Sequence, residues 1–238
     1  MRKIAFFRPD DERAAEAAEI VSELGHEPVS DPMLEVDPTG EAPRNDADYT
    51  VLTSKTGVEL AAEAGWEPRG EITAIGSPTA DVLRSAGYSV DHVPEEFSST
   101  GLVTHMRDMV EGSRVEVARS DHGSPVLTDG LEDAGAYVHE TVLYRLVRPP
   151  EAGKSAELAA DGELGGACFT SSLTVEHFLD AADERGIRAE AVTGLNQAVV
   201  GAIGDPTAAT AEANGIDVDI VPEVAEFEVL AEAVADRL

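Results

Sequence analysis

The sequence predicts an α/β protein of two similar parallel-sheet domains, one nested in the other, with a hinge and a cleft between them. Three observations carry that reading. Apolar strand-like runs alternate with helix-patterned runs along most of the 238 residues, the signature of βα units on parallel sheets. A 24-residue passage is written twice, as "TAIGSPTADVLRSAGYSVDHVPEE" from Thr73 and "GAIGDPTAATAEANGIDVDIVPEV" from Gly201, with 12 identities at an offset of 128. Unrelated segments of ordinary composition would share about two. Finally, Pro/Gly-rich breaks fall at residues 37–46 and 148–166, where chain crossings between domains are expected.

The elements follow in order. "KIAFF" is a strand and "DERAAEAAEIVSELG" a helix starting at Asp11; "YTVLTS" leads into "TGVELAAEAG", "EITAIG" into "SPTADVLRSAG", and "YSVDHVP" reads as a strand before the helix "TGLVTHMRDMV". Gly25, Gly65, Gly87, Gly135 and Gly215 each follow a helical run, as C-terminal caps do. Two kinds of unit recur. The long one runs from a strand ending in Thr-Ser to a segment ending in "VPE". Its first half repeats more faintly, "TSKTGVELAAEAG" from Thr53 matching "TSSLTVEHFLDAA" from Thr170 at five of 13 positions and an offset of 117. The short one is a strand ending in Arg, a helix, a Gly and a second strand, at "IAFFRP…ELGHEPV" and "VEVARS…EDAGAYV". The order short, long, short, long, with crossings only at the two breaks, predicts a discontinuous domain of residues 1–33 and 149–238 around a domain of residues 34–148.

Composition excludes several classes of function. The 47 Asp+Glu against 17 Lys+Arg give a formal net charge of −30, a surface that repels nucleic acid and anionic lipid. Hydrophobic residues at 42% argue against disorder, and the scattered acid excess reads as adaptation to molar salt. No apolar run approaches the ~18 residues of a membrane span, which predicts a cytoplasmic protein with no membrane partner. Cys168 is the single cysteine, so neither an intrachain disulfide nor a cysteine zinc site is available, and a buried apolar role is expected. The six histidines lack metal-ligand spacing, and dinucleotide, P-loop and nucleophile-elbow motifs are absent.

Four strand-to-helix corners remain as candidate sites. In "AIG-Ser77-Pro78-Thr79" Ser77 is expected to cap the helix, with Pro78 at its first position and Thr79 in its first turn; "Gly204-Asp205-Pro206-Thr207" repeats the arrangement. Thr53, Ser54, Lys55 and Thr56, and Thr170, Ser171 and Ser172, occupy the corner one unit earlier. Corners at the carboxyl ends of parallel strands are where open α/β sheets bind ligands, and free helix N-termini favour anions. Hydroxyl and amide donors with little cationic charge point to a polycarboxylate or polyphosphate. Arg8 and Arg119, each ending a first strand, either bind that ligand or pair with a carboxylate. Tyr144, before the second crossing, either packs at the hinge or acts in the site.

The order and spacing of "FFRP", "VLTSKTGVE", "AIGSPTADVLRSAG", "TVLYRL", "CFTSSLTVEHFL" and "AIGDPTAATAEANGIDVDIVPE" resemble the uroporphyrinogen-III synthase family over nearly the whole chain. The resemblance implies two flavodoxin-like domains joined by a two-stranded hinge. It implies cyclisation of hydroxymethylbilane, an octacarboxylate, with inversion of its last pyrrole, loss of water and no cofactor. The implied route runs through an azafulvene cation and a spiro intermediate. It further implies Tyr144 as the residue assisting hydroxyl departure, and Thr79, Ser54 and Thr170 as positions facing the substrate; with the corner residues read above, the expected substrate-binding set is Arg8, Ser54, Lys55, Ser77, Thr79, Thr170, Ser171, Ser172, Gly204 and Thr207. Asp205 departs from this pattern by placing a carboxylate at an anion-binding corner. A monomer, in transient contact with the upstream deaminase, is the expected state. The alternative is a non-catalytic anion- or tetrapyrrole-binding regulatory module of the same fold.

Overall fold

The computed structural model describes residues 1–10 and 12–238; Asp11, where the sequence reading starts the first helix, lies outside the described residues. The chain divides into one unit of residues 1–35 and 147–238 and a second of residues 36–146.

The first unit opens with strand β1 (Lys3–Phe6), helix α1 (Glu12–Glu23) and strand β2 (Glu27–Ser30). The second contains strands β3 (Glu35–Pro38) and β4 (Tyr49–Leu52), helix α2 (Lys55–Glu63), strand β5 (Glu71–Ala74), helices α3 (Ser77–Ser85) and α4 (Ser99–Met106), strand β6 (Arg114–Ser120), helix α5 (Pro125–Asp133) and strand β7 (Tyr137–Val147). The chain then completes the first unit with α6 (Lys154–Ala160), β8 (Leu164–Phe169), α7 (Ser172–Glu184), α8 (Arg188–Leu195), β9 (Val199–Ala202), α9 (Asp205–Ala213) and α10 (Phe227–Ala235).

In the first unit the sheet order is β2-β1-β8-β9, all parallel, and Ile220 bridges Gly201 on the β9 edge. Alternation along β1 sends Ile4 and Phe6 to the face covered by α1 and α10, and Ala5 with the following Phe7 to the opposite core. On that second face Phe7 stacks on Phe169, ring centroids 4.5 Å apart. Asp31, 3% exposed, accepts hydrogen bonds from Gly153 N–H (3.0 Å), Ser155 N–H (2.7 Å) and the Ser155 hydroxyl, so a carboxylate from the end of β2 caps α6.

In the second unit the order is β3-β7-β6-β4-β5, with β7, β6, β4 and β5 parallel and His92 bridging Thr73 at the edge. Leu52 and Ala118 face the core under α2 and α3, while Val51, Val115 and Val117 face α4 and α5. Setting β3 aside, this sheet is the first unit's with the chain order permuted: β6-α5-β7 corresponds to β1-α1-β2, and β4-α2-β5-α3 to β8-α7-β9-α9. The short and long sequence units are these two pieces. The offset changes from 117 to 128 because the first unit inserts α8 between α7 and β9.

The strand read into "YSVDHVP" does not form. A single residue, His92, bridges β5, because Asp91 takes the place of a ladder carbonyl: its carboxylate accepts from Ile72 N–H at 2.8 Å. Asp219 does the same to Val200 N–H at 2.9 Å. Gly87 and Gly215, at φ +91° and +81°, reverse the chain after α3 and α9 to deliver these aspartates.

Candidate active-site corners

The carboxyl end of the second unit's sheet gathers most of the expected residues. Ser54 is the N-cap of α2; its Oγ accepts from Gly57 N–H at 3.0 Å and from the Tyr144 hydroxyl, also at 3.0 Å. Tyr144 is 7% exposed and packs in the core under α2 and α3, whereas Ser54 is half-buried. The outward-facing member of the pair is therefore the serine. Beside it Lys55 is exposed, opens α2 and makes no ion pair among the described residues. A cation at a helix N-terminus is unfavourable to the helix dipole, so an anion there satisfies both.

One strand over, the structure corrects the sequence reading of α3. Gly76, in extended conformation (φ −172°), is the N-cap; Ser77 is already helical and exposed, and no side chain caps this end. Gly204 takes the same role for α9 (φ −172°), with Asp205 exposed in the first turn rather than capping. The glycines win because both corners leave their strand fully extended, so helical geometry starts one residue earlier than Ser or Asp capping would require. The α3 N-terminus therefore keeps free donor capacity, whereas at α9 the Asp205 carboxylate already occupies the dipole's preferred position. Thr79 (5% exposed) and Thr207 (4%) turn inward from the first turns. On β5, the strand that leads into the α3 corner, the buried Thr73 hydroxyl has no hydrogen-bond partner among the described residues.

Two further features position Tyr144. Asp121 N–H donates to the Tyr144 carbonyl at 3.2 Å, and the Asp121 carboxylate accepts from Leu146 N–H at 3.1 Å, bracketing the tyrosine where the β6–β7 register shifts. Burial pushes the Asp121 carboxyl up, but hydrogen bonds from His122 and Leu146 N–H outweigh it and hold its pKa below the usual carboxylate range. Arg119, buried to 4% exposure, is committed to structure: its guanidinium forks onto Glu140 at 3.1 and 2.8 Å and donates to the Ser124 carbonyl at 2.6 Å.

The first unit carries its own corner, a cavity of about 500 Å³ lined by Arg8, Arg13, Thr170, Ser171, Ile203 and Phe227 among others. The Arg8 guanidinium carbon lies 4.7 Å from the Phe227 ring centroid. Arg13 escaped the sequence reading because nothing in an acidic helix start marks one arginine as facing a cavity. Ser171 closes a capping box with Thr174, each side chain accepting the other's N–H at 3.2 Å, which consumes donors expected to be free. Ser172 ties α7 to α9, donating to the Pro206 carbonyl at 3.1 Å and accepting from the Thr210 hydroxyl at 2.9 Å. Cys168 is fully buried, and burial pushes its thiol up to about 12, which leaves it unreactive at neutral pH.

The family model for uroporphyrinogen-III synthase matches residues 15–232. The chain belongs to the uroporphyrinogen-III synthase family. A Methanothermobacter thermautotrophicus protein named as a candidate uroporphyrinogen-III synthase is 33% identical over 237 residues, covering 92% of each chain. The uroporphyrinogen-III synthase of Synechococcus elongatus is 32% identical over 142 residues, covering 56% of this chain and 54% of its own. Among solved structures, that of a mutant uroporphyrinogen III synthase from the extremely thermophilic bacterium Thermus thermophilus superposes with a TM-score of 0.66 at 18% identity, covering 98% and 97% of the two chains, and shows the shared two-domain α/β fold. The synthase described here is a lyase of haem biosynthesis. Among its described residues no helix is long and apolar enough to cross a membrane.

Proposed function

We propose that this synthase converts hydroxymethylbilane to uroporphyrinogen III, with loss of water and inversion of the last pyrrole, and that Tyr144 and Ser54 together assist departure of the hydroxyl. The observation that carries the reading is the 3.0 Å hydrogen bond from the buried Tyr144 hydroxyl to the half-buried Ser54 Oγ, at a sheet edge where α3 opens without a side-chain cap. Ser54 donates its proton to the leaving hydroxyl and recovers one from Tyr144. The tyrosinate so formed lies near the developing azafulvene cation and takes back the proton released when the inverted ring regains its aromaticity. The balance is one water lost, with no cofactor.

The other substrate-binding positions fall into two groups. In the second unit Lys55, Ser77 and Thr79 accompany Ser54 in meeting substrate carboxylates. In the first unit Arg8, Thr170 and Ser171 contribute from their cavity, while Ser172, Gly204 and Thr207 shape its neighbouring helix starts. Orientation of a flexible, reactive chain is the main catalytic effect. With a net charge of −30 the protein repels its anionic substrate at long range, and concentrated salt relieves this. The enzyme is read as a cytoplasmic monomer of a saline cell, meeting its substrate as the upstream deaminase releases it.

Product analysis tests the reading. Hydroxymethylbilane generated in concentrated potassium chloride is incubated with the protein, oxidised, and the porphyrin isomers separated. Type III product supports it; the spontaneous type I isomer alone refutes it.

A further inference from the structure

We propose that Phe97 is a substrate-contacting residue that orients a pyrrole ring at the second unit's corner, an inference that rests on the function proposed above. Phe97 is 56% exposed although it is among the largest apolar side chains of the protein. Two features seat it. It directly precedes Ser98, the N-cap of α4, whose Oγ accepts from Gly101 N–H at 2.9 Å. Its ring also lies over Gly76, where a Cβ would meet Cγ at 2.7 Å and the two ortho carbons at 3.0 and 3.1 Å. Near-equal distances to both ortho carbons place Gly76 against a ring face rather than an edge. One side of the ring thus rests on the N-cap glycine of α3, and more than half of the side chain stays in solvent at the uncapped helix end.

The fold does not require this ring. The twin corner is the internal control: at the offset of 128 Phe97 corresponds to Ala225, and a Cβ on Gly204 would meet nothing closer than Pro206 Cδ at 3.9 Å. The first unit builds the same turn with the space above the glycine open. The aromatic is therefore an addition to one copy only, placed where a flat, electron-rich ring can stack or meet it edge to face. Such a contact contributes about 0.5–1.5 kcal/mol. Hydroxymethylbilane is a chain of four such rings, so Phe97 matches the part of the ligand that hydroxyls and amides do not address.

The test uses the full-length protein in concentrated potassium chloride. Phe97→Ala is expected to leave the melting temperature unchanged, to raise KM about 2–10-fold, and to increase the type I fraction as the held ring loosens. Phe97→Trp is expected to restore both values to within about twofold, and Phe97→Leu, with bulk but no π face, to restore neither fully. Wild-type KM and isomer ratio in Phe97→Ala, or a loss that leucine repairs as well as tryptophan, overturns the inference while the synthase reading stands. Failure of the unaltered protein to yield type III product overturns both.

Discussion

The Tyr144 hydroxyl donates to Ser54 Oγ at 3.0 Å, joining β7 to the cap of α2 across 90 residues of sequence. Ser54 also accepts from Gly57 N–H, so its own hydroxyl hydrogen is the one turned outward. The two residues form a single donor with a buried proton source and a half-exposed tip. Tyr144→Phe and Ser54→Ala should each lower turnover by about one to two orders of magnitude. The double variant should lose little more than the worse single one, since residues acting as a unit are not additive. Steady-state rates of type III formation check this, and fully additive losses would separate the pair.

The bracket around Tyr144 makes an acid-side prediction. The Asp121 carboxyl has a folded-state pKa lowered from 3.8, so its contribution to stability is fully present above that value and is lost as the pH falls through the folded-state pKa. Melting temperatures across the acid range should therefore fall less steeply in Asp121→Asn than in the unaltered protein, converging at the lowest pH. Activity near neutrality should drop in the same variant, because the strand carrying Tyr144 is less firmly held.

Asp31 is a heavily used carboxylate of the first unit. It satisfies two backbone N–H groups and a hydroxyl at the start of α6 from a position 3% exposed. Removing it leaves those buried donors unpaired. Asp31→Ala should cost about 2–4 kcal/mol in urea unfolding, and Asp31→Asn should recover part of that.

A net charge of −30 predicts that salt stabilises the fold. Raising potassium chloride from about 0.1 M to 1 M shortens the Debye length from about 10 to 3 Å and should raise the urea midpoint. Sucrose controls for solvent exclusion alone. A midpoint indifferent to potassium chloride would remove self-repulsion as the cause.

Much of the architecture was legible because the two copies repeat for physical reasons. Gly87 and Gly215 are held by left-handed turns, and Asp91 and Asp219 by the edge amides they satisfy. Those same aspartates hid the absence of the strand, since "VDHVP" alternates like one while its side chain does the ladder's job. Ser-Pro and Asp-Pro look like cap and first helical position, whereas extended Gly76 and Gly204 cap α3 and α9 and start each helix one residue earlier. At the site, Ser54 and Tyr144 stood in recognisable segments, but their hydrogen bond is a tertiary contact between distant strands. Phe97 lies one residue past the duplicated passage, opposite Ala225, where the two copies have already diverged. Arg13 left no trace.

That the second unit's sheet edge carries the reaction is tested most directly by Thr79→Val, which removes a hydroxyl in the first turn of α3 while keeping the side chain's shape. With Cys168→Ala as a buried control, kcat/KM for type III formation should fall about tenfold or more in Thr79→Val and stay near the unaltered value in the control, with both proteins melting cooperatively. Equal, near-normal values in both would contradict it.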